Sequence, residues 1–226
     1  AANDLAQHHE QKDGIKTIVV TPQEIYNEFS SGAQDITAIR DFLRMFYKKP
    51  SNKLKYLLLF GDASYDPLSR ITNNTNFVPS YQSNNSVSPT QSYITDDYYG
   101  LLDDMEGHFT NDLVDIGIGR FPVQTLTQAN DMVRKVKDYG NKMSFGDWRN
   151  KVTFVADDGD ADDGNTHMWQ ADSLANIIDD NYKNINIKKI YLDSYTQEST
   201  PGGPRSPDAQ NAITESVEKG SLLINY

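Results

Sequence analysis

The residues best suited to chemistry in this chain are carboxylates set just after apolar runs. Gly61-Asp62-Ala63-Ser64-Tyr65-Asp66 directly follows the apolar run Lys55–Phe60. Glycine lets the chain turn sharply there. A parallel sheet binds ligands at the carboxyl ends of its strands, which is where Asp62 and Asp66 would sit. The plainer reading has Asp62 bonding loop amides in an Asx-turn. Thr95-Asp96-Asp97-Tyr98-Tyr99-Gly100 places two adjacent carboxylates before two aromatics. In a strand their side chains point to opposite faces, so one can face a cleft. A cleft carboxylate can orient an imidazole or pair with a basic substrate group. Spacing alone favours an ordinary polar hairpin strand. Arg120, in Ile118-Gly119-Arg120-Phe121-Pro122-Val123, can clamp a carboxylate bidentately. An ion pair with Asp62 or Asp96 is the simpler use.

Asp157 to Gly164 is the densest charge cluster. Asp158, Asp160 and Asp162 match the Asp-x-Asp-x-Asp start of a calcium loop. Asp163 then stands where an EF-hand needs Gly, and no Glu closes the loop, so this is not an EF-hand. A looser Ca²⁺ site and a solvated acidic loop before a helix N-terminus both fit. The four histidines, His8, His9, His108 and His167, have no partner at a suggestive spacing and are expected at the surface. The chain has no Cys, which excludes disulfides and thiol catalysis by its own residues. It has no Gly-x-Gly-x-x-Gly and no phosphate loop, which argues against a nucleotide site.

The elements that position these groups follow from hydrophobic patterning. Apolar runs at Lys16–Thr21, Lys55–Phe60, Val114–Gly119, Val152–Ala156, Ile185–Leu192 and Ser221–Asn225 predict strands. Most are almost continuously apolar, as buried parallel strands are; Ile185–Leu192 alternates and suits an edge. Capping boxes at Thr21–Glu24 and Thr125–Gln128 open helices, and Asp35 caps another. The expected core stripes are Ile36, Ile39, Leu43 and Phe46; Leu126, Ala129, Val133 and Val136; Met168, Ala171, Leu174, Ala175 and Ile178; and Ile213 with Val217. Alternating strands and helices predict an α/β fold with a largely parallel sheet. Asp62–Tyr93 reads as a long functional loop. Tyr93–Leu102 and Leu113–Gly119, flanking Asp103–Gly107, read as a β-hairpin. A division near Met143–Arg149 gives subdomains at 1–148 and 149–226.

Net charge is −11 over 226 residues. No Lys/Arg cluster is visible, which excludes nucleic acid as the expected partner and disfavours an anionic membrane surface. No apolar run approaches the roughly 18 residues of a membrane span, so the segment is not expected to insert. The chain is expected to be a fragment of a longer protein, with an open sheet edge.

Taken together, these motifs resemble the gingipain family of cysteine peptidases, peptidase family C25. Within it the resemblance is nearest to the surface sortases of the type IX secretion system. It rests on Tyr26–Gly32, Asp35 with Ala38–Leu43, Tyr56–Asp66, Thr95–Gly100, Ile118–Val123 and Leu223–Tyr226. The resemblance implies a caspase-like three-layer αβα fold. It implies thiolate attack on a carbonyl, with a His base in a Gly-His-Gly just after Tyr226 and a Cys later still. Both lie outside this chain, so the fragment itself is expected to be inactive. Asp96 matches the family's cleft carboxylate, orienting the His or lining the substrate pocket; Asp97 takes that place if the register slips by one. Asp62 and Tyr98 are expected to line the substrate site. No cofactor is needed for the chemistry. The family's structural Ca²⁺ directs attention to Asp158, Asp160 and Asp162.

The resemblance further implies an enzyme on the extracellular face of the bacterial outer membrane. Its partners would be protein substrates, the C-terminal sorting domains of secreted cargo, and other secretion-system surface proteins. The alternatives from other classes are an inactive caspase-like binding module that presents the Asp62–Tyr93 loop, and an ion- or sugar-binding domain.

Overall fold

A computed structural model describes residues 1–51, 54–85, 87–107, 112–159 and 164–226. The chain divides into two compact units, Ala1–Gly140 and Asn141–Tyr226.

In the first unit, α1 (Ala2–Asp13) ends on Gly14, whose φ of 67° suits glycine. Next come α2 (Pro22–Phe29) and α3 (Ile36–Tyr47). The Thr21–Glu24 capping box forms, and the Asp35 carboxylate accepts from the Thr37 amide. β1 (Tyr56–Phe60) pairs in parallel with β4 (Gly117–Phe121), placing Leu59 opposite Arg120. Between them β2 (Tyr81–Gln82) pairs antiparallel with β3 (Ile94–Thr95), and a 3₁₀ turn spans Asp97–Gly100. Ile25, Tyr26, Ile39 and Leu43 of the helices close over Leu59, Tyr99, Leu102 and Ile116. α4 (Leu126–Tyr139) opens on its capping box at Thr125 and packs on α1, with Lys137 Nζ 2.6 Å from Asp4.

The second unit is a three-layer αβα arrangement. Its parallel sheet runs β6 (Asn186–Tyr191), β5 (Lys151–Ala156), β9 (Leu223–Asn225). α5 (Thr166–Asn181) buries Ala171 and Ala175 against Val152, Phe154 and Ala156. Alternate residues of β5 face the other way, and α6 (Pro207–Glu218) packs on β6. A hairpin, β7 (Glu198–Thr200) and β8 (Gly203–Arg205), precedes α6.

Several expectations are corrected. Residues 16–21 lie outside every strand; Ile18, Val19 and Val20 are exposed. The hairpin expected from Tyr93–Leu102 and Leu113–Gly119 does not form. Its second arm becomes β4, begins at Gly117, and pairs in parallel with β1 instead. The reason lies partly at Gly100, where a Cβ would meet Ile118 Cδ1 at 2.6 Å. The turn packs closely on Ile118 and Val114 there, and the Asp115 amide donates to the Gly100 carbonyl at 2.8 Å. Leu126, Leu174 and Val217 are exposed, and α6 buries Ala209 and Ser216 in place of Val217. The polar opening segment is the helix α1, anchored by Leu5.

If 16–20 is unpaired, the amides of Ile18–Val20 will exchange with solvent far faster than those of Thr153 and Phe154, which sit in a strand paired on both sides. Comparable protection in a hydrogen-exchange experiment would show that the run pairs after all.

Candidate functional site

Arg120 organises the carboxyl edge of the β1–β4 sheet. It leaves β4 with its guanidinium turned inward, and the side chain is 13% exposed. Nε donates to Asp96 Oδ2 at 2.7 Å, and Nη2 donates to Oδ1 at 2.7 Å. This is a bidentate fork, the strongest common carboxylate contact. Nη1 donates to the Gly61 and Val78 carbonyls, both at 2.7 Å. Nη2 also reaches the Pro79 carbonyl at 3.2 Å and Ser80 Oγ at 3.1 Å. One side chain therefore ties β4, the end of β1, the 78–80 segment and Asp96 together. The Ser80 hydroxyl donates to Asp96 Oδ1 at 2.7 Å. Beneath it, the fully buried Tyr99 donates its hydroxyl to the Pro79 carbonyl. Burial pushes that phenol up, above its ordinary range.

Burial alone would raise the Asp96 pKa. The Arg120 fork, the Ser80 hydroxyl and the Arg120 charge outweigh it and hold Asp96 below the usual carboxylate value. Asp62 behaves similarly. Desolvation raises it, while bonds from Thr75 Oγ1 and Gln124 Nε2, each 2.8 Å, and the Ala63 amide bring it below its ordinary value. The Asp62 carbonyl also accepts from the Phe77 and Val78 amides, both at 3.0 Å. Asp62 and Asp96 thus meet the same guanidinium region, and Asp62 closes the long loop. Asp66 is buried and accepts from the Ile71 amide at 2.8 Å.

Asp96 and Asp97 do not sit in a strand; β3 ends at Thr95, and Asp97 begins the 3₁₀ turn. They still diverge. Asp97 is exposed, and its carboxylate makes no hydrogen bond or ion pair among the described residues. Tyr98 stacks on Tyr81 with ring centroids 5.1 Å apart, and its hydroxyl lies 3.0 Å from Thr37 Oγ1. The Arg40 guanidinium lies 5.2 Å from the Tyr98 ring centroid and donates to the Leu101 and Glu106 carbonyls. The phenol is thus engaged within the fold.

In the second unit, Asp157 and Asp158 follow β5, and Tyr226 follows β9. Asp158 Oδ2 accepts from Gln197 Nε2 at 2.7 Å. Asp160, Asp162 and His108 lie outside the described residues. Among the described histidines, His9 is 2.6 Å from Asp13, and His167 is exposed.

One further group has no local signature in the sequence. Ligand oxygens of Asp103, Glu106 and Asp115 lie within 4.8 Å of one another. The Tyr47 hydroxyl donates to Asp103 at 2.9 Å and Asp115 at 3.1 Å, and these carboxylates raise its pKa. Backbone amides of Leu102 and Asp103 donate into the same group. Asp103 and Glu106 share a turn, but no local spacing links them to Asp115.

Breaking the Arg120 fork strands a buried carboxylate and several carbonyls. Arg120→Met should cost about 3 kcal/mol in urea denaturation of the chain. A loss under about 1 kcal/mol would make the pair a surface ornament. A carboxylate with a depressed native pKa stabilises the fold above its unfolded value, near 3.8, and loses that contribution as pH falls through the lower native value. The stability gap between the chain and its Asp96→Asn variant should therefore be widest above pH 5 and narrow steadily below 3.8. A gap independent of pH would refute the charge role.

The comparisons now add to this geometry. The sequence profile described as Peptidase family C25 matches residues 1–226. No curated protein matched significantly. The chain is 34% identical to dimeric latent PorU from Porphyromonas gingivalis, with a TM-score of 0.53, over 66% of this chain and 15% of that one. Against the Arg-specific cysteine proteinase gingipain R, identity is 20% and the TM-score 0.63, covering 99% of this chain and 42% of that one. Against the complex of Porphyromonas gingivalis RgpB pro- and mature domains, identity is 20% and the TM-score 0.56, covering 84% and 38%. At that identity the last two show a shared fold alone. The chain spans less than half the length of each of these proteins. On the match along its full length, the chain belongs to peptidase family C25.

Proposed function

We propose that this chain is the front part of the catalytic domain of a cysteine endopeptidase or transpeptidase. Its substrates would be proteins, and more narrowly the C-terminal sorting domains of secreted cargo. It would act at the outer membrane's extracellular face, beside other secretion-system proteins. The observation that carries the reading is the family match over all 226 residues of a chain with no Cys of its own. A family built on thiol chemistry then needs its sulfur from outside these residues. The narrower sorting-domain role rests on the motif resemblance to the surface sortases. No helix among the described residues is long and apolar enough to cross a membrane.

The site divides labour between neighbouring carboxylates. Asp96 is a positioning residue: through Arg120 it fixes the 78–80 segment, Gly61 and the turn that follows β3. Asp97, solvent-facing, is available to a basic substrate group or to the imidazole that the family reading expects. Asp62 shapes the loop floor beside them. In the parent, thiolate attack on the scissile carbonyl would form an acyl-enzyme as the amine leaves with a proton, and water or an acceptor amine would then take the acyl group. The reading also gives the chain a structural calcium ion. The loop carboxylates Asp158, Asp160 and Asp162 would hold it and neutralise their mutual repulsion.

Iodoacetamide should abolish peptide cleavage by the full-length parent, while this 226-residue chain should cleave nothing by itself. Cleavage that survives alkylation would overturn the thiol reading, and a parent with no cleavage at all would be a binding module. Asp97→Asn should lower kcat/KM at least tenfold at unchanged melting temperature, whereas Asp96→Asn should lower both. EGTA should lower the melting temperature of the chain; no shift would remove the calcium ion.

A further inference from the structure

The second unit contains a cavity of about 170 Å³ at the amino-terminal rim of its sheet. Lys151 and Asn186 are the first residues of β5 and β6, and Gly220 and Ser221 lead into β9. Strands that run in parallel put their carboxyl ends, and any family-type substrate site, at the other rim. The cavity therefore lies at the rim of this sheet opposite the carboxyl ends of its strands. It opens between the face of β5 and β6 that carries Thr153 and Lys188 and the last turn of α6.

Its lining is cationic in a chain whose net charge is −11. Lys151, Lys188 and Lys219 border it, with Glu215 as the one carboxylate. Three ammonium groups against one carboxylate leave two positive charges. The carboxyl end of α6 contributes only about half a negative charge, so the lysines prevail. Glu215 is engaged already: Lys219 bonds it directly, and Lys188 Nζ lies 3.7 Å away. Lys188 also donates to the Ala212 carbonyl at 3.3 Å. The Lys151 ammonium makes no hydrogen bond or ion pair among the described residues. Like charges gathered around a depression repel one another and focus an anion-attracting field into it.

Hydroxyls complete the lining. Thr153 is 1% exposed, and its Oγ1 lies 3.1 Å from Ser221 Oγ. The Ser221 hydroxyl donates to the Ser216 carbonyl across 3.3 Å, a long bond that it can exchange for an incoming oxygen. The space holds roughly five waters' worth of volume, enough for a tetrahedral oxyanion. Gly220 makes the turn at the rim: its φ is 82°, and a Cβ there would lie 2.8 Å from Trp148 Cβ.

We propose that this cavity binds a dianionic oxyanion of the phosphate class, with Lys151, Lys188 and Lys219 as counter-charges and Ser221, backed by Thr153, as the hydroxyl donor. Binding there ties α6 to β5 and β6 and stabilises the second unit. It requires neither the peptidase reading nor the calcium ion.

The test is an amide NMR titration of the 226-residue chain with inorganic phosphate at constant ionic strength. The Lys151, Gly220 and Ser221 amides should shift saturably, with a midpoint in the low millimolar range. Sulfate should compete, and acetate should bind at least fivefold more weakly. Lys151→Met and Lys219→Met should each weaken phosphate binding at least fivefold, and Lys135→Met, on α4, should leave it unchanged. Shifts that grow linearly, that chloride reproduces, or that survive both pocket substitutions would overturn the proposal. Glycerol 3-phosphate separates the sources: binding equal to that of inorganic phosphate supports a phosphate monoester, and weaker binding supports the free ion.

Discussion

The first unit depends on one desolvated ion pair. Arg120 has five N–H donors, and the structure gives partners to all of its nitrogens within a single cluster. The acceptors come from segments far apart in sequence: the end of β1, residues 78–80, and the turn after β3. Val78 and Tyr99 anchor two of these segments in the apolar core as well. The Arg120 side chain is 13% exposed and that of Asp96 22%. In that setting the charge-assisted bonds are stronger than at an open surface, and leaving any one of them unmade is costly. Residues 78–80 are held because the Val78 and Pro79 carbonyls converge on a cation.

The same constraint explains why two carboxylates adjacent in sequence have different surroundings. Asp96 is drawn into the fork and Asp97 is left facing water. A strand would have achieved a similar divergence by alternation, but β3 stops one residue too early. The 3₁₀ turn does the work, packed closely on Ile118 at Gly100.

What could be read from the sequence was whatever local physics decides. The caps at Thr21, Asp35 and Thr125 depend on contacts three residues apart or fewer, and all three form. The strands β1, β5, β6 and β9 follow from apolar runs, and the Arg120–Asp96 pair was among the arrangements that charge and placement allowed. What escaped depended on distant partners. Lys16–Thr21 has the composition of a strand and no paired neighbour. Val114–Gly119 looks like a hairpin arm until its partner proves to be β1. The acidic trio joins Asp115 to a turn that only the fold brings near, and the lysine-lined cavity joins three elements whose charges look scattered along the chain.

The packing of α1 on α4 bears on how the chain is made. A ribosome releases residues at about 5–20 per second, amino end first. Helix α1 has to wait for residues 126–139, nearly the whole of its unit, before its partner exists. For on the order of ten seconds it is a short, weakly amphipathic segment with nothing to rest on. In the second unit β5 finds α5 and β6 close by in sequence, although its pairing with β9 also waits for the last residues. Nascent α1 is therefore open to chaperones during synthesis.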